Sequence, residues 1–140
     1  MTFSSLNLEE LRQKADEFAV KRDWIKFHTP RNLLMALVGE VGEVAELFQW
    51  RDKVDAGLIG WTEEEKVRVG EELADVLIYL VRMADRCDID LSKATIDKFR
   101  KNELKYPAEL VRGSSKKYTD NVRLNYYKLI EAEEEVCTWN

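Results

Sequence analysis

The chain reads as an all-α protein, a four-helix bundle, because apolar residues recur at helical spacing in four segments. Capping signals open these segments, and no stretch alternates as a strand would. Asn7 with Glu10 makes a capping pair ahead of Leu8, Leu11, Ala15, Phe18 and Ala19, predicting a first helix that runs to about Arg22. After the polar and aromatic connector Asp23 to His28, Thr29 can cap a second helix whose first position is Pro30, where a missing N–H costs nothing. That helix should reach about Trp50. Gly57 and Gly60 mark the aperiodic stretch from Arg51 to Trp61 as a loop, and Thr62 with Glu65 forms a second capping box. Val67, Leu73, Val76, Leu77, Leu80, Val81 and Ala84 then carry a third helix to Arg86, and Asp90 caps a fourth that extends to about Leu104. Pro107 restricts Tyr106 to extended backbone.

The length of 140 residues fits one domain, with residues 1–112 as the helical part and 113–140 as a polar tail. Within the tail, Leu124 to Val136 is a candidate for a loosely held helix and Glu131 to Glu135 is acidic. A net charge of -5 argues against non-specific binding to nucleic acid or to an anionic membrane, both of which need a clustered basic surface. A phosphorylated small molecule is still compatible, because divalent cations can carry the positive charge that faces it. The N-terminal residues lack a basic and apolar leader and no window approaches a membrane span, so the expected location is the cytoplasm. Cys87 and Cys137 stand far apart with no histidine spaced for zinc, which suggests neither a disulfide framework nor a zinc site.

The chemistry concentrates on the second and third helices. Glu40, Glu43 and Glu46 stand three residues apart among Leu, Val, Ala and Gly, and Glu72 and Asp75 repeat that spacing on the third helix. At this spacing two side chains lie about 60° apart around a helix, so each pair projects in nearly one direction. Should the two helices pack antiparallel, Glu40, Glu43, Glu72 and Asp75 converge. Four carboxylates in a partly apolar setting raise one another's pKa unless a cation compensates them. Mg2+ suits oxygen ligands and leaves room for phosphate oxygens, with Mn2+ as a substitute. Zinc or di-iron chemistry would call for histidine, which these helices lack. The bland alternative is a solvated charged face, the ordinary meaning of a single Glu-x-x-Glu. Gly39 and Gly42, each costly inside a helix, suggest a close backbone approach by another helix or a ligand.

Glu40-x-x-Glu43 followed by Glu72-x-x-Asp75 resembles the signature of the MazG-like, all-α nucleoside triphosphate pyrophosphohydrolases. Arg22-Asp23-Trp24, Phe27-His28-x-Pro30-Arg31-Asn32-Leu33, Gly39 through Trp50, Glu71 through Leu80, and Tyr106-Pro107 are similar to the dCTP pyrophosphatase branch in particular, so that the likeness extends from about Leu8 to Thr119. The resemblance implies hydrolysis of dCTP to dCMP and pyrophosphate, magnesium dependence, and a homo-oligomer, commonly a tetramer. It implies Glu40, Glu43, Glu72 and Asp75 as metal ligands and catalytic residues, and Trp24, His28, Trp50 and Tyr79 as nucleotide contacts. Lys98, Asn102 and Tyr106, four residues apart along the fourth helix and its exit, match positions that approach the phosphates or the base. In one departure, Ala15 stands where vertebrate members carry a histidine near the nucleotide, which bears on discrimination among pyrimidines.

The residues agree with this outline. Tyr79 shares a helix face with Asp75, the tryptophans can stack on a base, and a cationic His28 beside a helix start would favour an anion. Apart from the resemblance, the ordinary readings are a core role for each tryptophan and a capping or packing role for His28. In the implied mechanism, metal ions held by the carboxylates bridge the triphosphate and help activate water, and Glu43 or Glu72 accepts its proton. Two other readings compete: the same chemistry on dUTP or other nucleoside triphosphates, including modified dCTP analogues, and a non-catalytic helical oligomerisation module.

Overall fold

Side-chain caps set the starts of the first three helices. A computed structural model describes residues 2–113, and every regular element among them is helical: α1 (Leu8–Val20), α2 (Pro30–Phe48), α3 (Glu63–Arg86), α4 (Leu91–Lys105) and the short α5 (Ala108–Val111). The Asn7 side chain accepts from the Glu10 N–H while Glu10 reaches back to the Asn7 N–H, and Thr62 with Glu65 repeats this reciprocal box at α3. Thr29 accepts from the Asn32 N–H at the start of α2, with Pro30 at the first position. Two helices stop about two residues short of expectation, since Lys21 and Gln49 are the capping residues that close α1 and α2. The α5 turn, opened by Pro107, has too little periodicity to be seen in the sequence.

The chain divides into two compact units, Met1–Ser92 and Lys93–Asn140. In the first, α3 packs against both α2 and α1. Its contacts fix the directions. Arg51, just past α2, pairs with Glu65 in the first turn of α3, and its guanidinium lies 4.3 Å from the Trp61 ring centroid. At the other end His28, just before α2, bonds to Arg82 and Arg86 near the end of α3. The two helices are therefore antiparallel. α1 also runs antiparallel to α3, because Arg12 meets Asp85 and Asp16 meets Arg82.

Leu11, Ala19, Leu33, Trp61, Val69, Val81 and Ala84 form the buried apolar core. The loop before α3 turns sharply through Gly57 (φ 81), Leu58 (φ 52) and Gly60 (φ 85), and glycine supplies two of these left-handed residues without steric cost. In the second unit, α4 continues from Lys93 and α5 follows. The tail expected from residue 113 onward, with its candidate helix and Cys137, lies outside the described residues apart from Gly113. No helix among the described residues is long and apolar enough to cross a membrane.

Leu33 is 2% exposed at the heart of the first unit. Leu33→Ala should therefore cost about 2–5 kcal/mol of stability through lost burial and the cavity left behind. Urea unfolding at equilibrium measures it, with the slope unchanged and the midpoint lowered.

Candidate metal and nucleotide site

Antiparallel packing of α2 on α3 brings the Glu40–Glu43 pair against Glu72 at mid-helix. Glu40, Glu43 and Glu72 each offer a carboxylate oxygen, and these oxygens all lie within 4.8 Å of one another. Asp75 stands outside that trio yet near enough for its charge to act on Glu40. Glu40 and Glu72 are half-buried, whereas Glu43 and Asp75 are exposed. Burial raises the pKa of Glu40 above its ordinary value, and the charges of Glu43, Asp75 and Glu72 raise it further. Among the described residues no Lys or Arg pairs with any of the four. The repulsion is thus not neutralised by any ion pair among the described residues. A hard divalent cation with oxygen preference fits this donor set.

Tyr79, one turn beyond Asp75, is half-buried beside the same carboxylates. Burial raises its pKa, and the charges of Glu40 and Asp75 add to the shift, so the hydroxyl keeps its proton and can donate. The glycines of α2 are open rather than crowded: a Cβ built at Gly39 or Gly42 meets nothing within 4 Å. No helix among the described residues makes the close approach that their cost suggested. Leu34, Met35, Val38 and Val41 on α2 are exposed, as are Val67, Leu73, Leu77 and Ile78 on α3.

The aromatic positions fall in two places. Trp24 lies edge-on to Phe18 at 5.9 Å between centroids and 6.4 Å from the His28 ring. Trp50 follows α2 and is 87% exposed. Of the two readings of His28, a cationic imidazole beside a helix start or a capping or packing residue, the contacts favour the second. Partial burial and the positive charges of Arg82 and Arg86 lower its pKa, and its Nδ1 accepts from Arg82 Nε at 3.2 Å, so the ring is neutral. Lys98, Asn102 and Tyr106 belong to the second unit.

Sequence reasoning missed the charged cluster behind His28. Arg82 is buried, and its Nη1 donates to Asp16 at 2.7 Å and to Asp85 at 2.5 Å, while Arg12 binds the other oxygen of Asp85 at 3.1 Å. The signal was present, since Arg82 lies between Val81 and Ala84 in a stripe that had to face inward.

Because the folded state holds Glu40 above its ordinary pKa of 4.5, the native protein binds a proton more readily than the unfolded chain. Stability from this group is therefore lost as pH rises from 4.5 through the raised value, and at neutral pH the charge is a standing cost. Glu40→Gln should melt higher than the wild type at pH 7 without divalent ions, and the gain should vanish below pH 4.5. Thermal melts of both proteins across that range provide the check.

Comparison with known proteins agrees with this geometry. The MazG-like family model matches residues 37–120, a span that includes both acidic pairs. dCTP pyrophosphatase 1 from Rattus norvegicus and that from Homo sapiens are each 55% identical to the chain over 113 residues, which is 81% of this chain. The chain spans 66% of the length of these curated relatives. Among solved structures, a pyrophosphatase from Archaeoglobus fulgidus superposes with a TM-score of 0.59 at 36% identity, covering 76% of this chain and 98% of that one. With more than half its length matched by the family model and Glu40, Glu43 and Glu72 of α2 and α3 converging, the chain belongs to the MazG-like family.

Proposed function

We propose that the protein hydrolyses dCTP to dCMP and pyrophosphate with Mg2+, for which Mn2+ can substitute. The observation that carries this reading is the set of uncompensated carboxylates on α2 and α3, and the similarity to dCTP pyrophosphatase 1 supplies the substrate. Glu40, Glu43, Glu72 and Asp75 would hold the cation, which supplies Lewis-acid neutralisation of phosphate charge and a lowered pKa for bound water. Glu43 or Glu72 accepts the proton of the attacking water as the bond between the α and β phosphates breaks and pyrophosphate leaves. Tyr79 donates its hydroxyl proton to a sugar or phosphate oxygen. Trp24 and Trp50 lie beyond opposite ends of α2 and would face one base only across two copies of the chain, and Lys98, Asn102 and Tyr106 would serve the phosphates or base. A cytoplasmic nucleotide pool suits this chemistry, and the catalytic domain is read as residues 1–112.

Incubation with a panel of nucleoside triphosphates and Mg2+, with the products resolved chromatographically, is the direct test. dCTP should give dCMP and pyrophosphate, and Glu40→Gln should lower turnover by roughly 100-fold or more. Release of single phosphate to give dCDP overturns the mechanism. Preference for dUTP keeps the mechanism and changes the substrate. An equal response of wild type and Glu40→Gln to Mg2+, with no turnover, favours a helical interaction module.

The exposed apolar residues of α2 and α3 support a homo-oligomer, with a tetramer favoured. So many uncovered aliphatic side chains on two adjacent helices exceed what a lone chain leaves in water. Light scattering at micromolar concentration should give a mass well above that of one chain, and Val38→Asp should lower it.

A further inference from the structure

The chain contains a single histidine, and a buried arginine determines which of its ring nitrogens carries the proton. Arg82 is 2% exposed and is steered by Asp16 on α1 and Asp85 on α3. Its Nε points at His28 Nδ1 across 3.2 Å. A guanidinium is always charged and can only donate, so the nitrogen it faces must be bare and the proton must sit on Nε2. Arg86 adds a second hold, its Nε donating to the His28 carbonyl at 3.0 Å. Arg12 shares Asp85, so both nearby carboxylates are engaged by guanidinium groups. Arg82 Nη2 is buried without a hydrogen-bond partner among the described residues. A charged side chain that leaves a donor unmatched is a costly filler for this space, and its one bond beyond the carboxylates goes to His28. Nε2 has no partner among the described residues, and the ring lies 6.4 Å from the half-exposed Trp24.

We infer that Arg82 is a positioning residue that locks His28 as the Nε2–H tautomer, so that beside Trp24 the ring offers one N–H donor to an acceptor oxygen of the bound nucleotide. The ligand half of this inference rests on the proposed nucleotide activity; the tautomer half does not. The acceptor oxygen belongs to the pyrimidine carbonyl or to a phosphate.

Long-range proton–nitrogen NMR reads the tautomer directly, because one histidine gives one set of ring signals. Nucleotide-free wild-type protein at neutral pH should show a protonated Nε2 and a bare Nδ1. A protonated Nδ1, or an average of both tautomers, overturns the proposal without any variant. Arg82→Gln should convert the ring to a tautomer mixture and raise the KM for dCTP about tenfold, the worth of one hydrogen bond, while kcat changes little. An equal fall in kcat with KM unchanged would make Arg82 merely structural. Deoxycytidine and inorganic tripolyphosphate, added separately, identify the acceptor by which of them moves the Nε2–H signal. A shift with neither, in a protein that binds dCTP by calorimetry, overturns the ligand half. Failure to bind dCTP at all, with the tautomer intact, refutes the nucleotide activity instead.

Discussion

The antiparallel contact between α2 and α3 decides what the side chains can do. Each helix separately carries only a repelling pair of acids, an arrangement that ordinarily faces water. Pinned together, with Arg51 on Glu65 at one end and His28 on Arg82 at the other, the helices bring Glu40, Glu43 and Glu72 within reach of one ion. Repulsion among these groups works against the packing that assembles them, and Leu33, Val69 and Trp61 in the core offset it. The cost is visible in Glu40, whose proton the folded protein retains more firmly than an ordinary glutamate would.

Much of this arrangement was readable from the residues. Asn7, Thr29 and Thr62 announced three helix starts because a side-chain oxygen three residues before a free N–H has one obvious use. Spacing of three placed the acidic pairs on single faces, and the antiparallel pairing brought Glu72 to Glu40 and Glu43. Other features depend on tertiary context. The charge on His28 follows from Arg82 and Arg86, more than fifty residues away in sequence, and no local pattern reports that. Gly39 and Gly42 suggested crowding, yet the described residues leave them open, since an interior glycine signals a close approach without saying from which molecule.

Buried charge and exposed hydrocarbon are both displaced from their usual places in the first unit. Arg82 lies inside, tied to Asp16 and Asp85, while Leu34, Met35, Val38 and Val41 lie outside on α2. The first is tolerated because the guanidinium is held by two carboxylates and an imidazole; removing one partner would strand a charge. The second is the apolar surface on which the proposed homo-oligomer rests.

The two ends of the α2–α3 pair differ in how far they are shielded from solvent ions. Arg51 and Glu65 are each about one-third exposed, with side-chain values of 37% and 34%, while the Arg82 side chain is 3% exposed. Mobile ions at high ionic strength weaken the first attachment and barely reach the second. Concentrated salt should therefore loosen the helix pair from the Trp61 end, with the His28 end acting as the pivot.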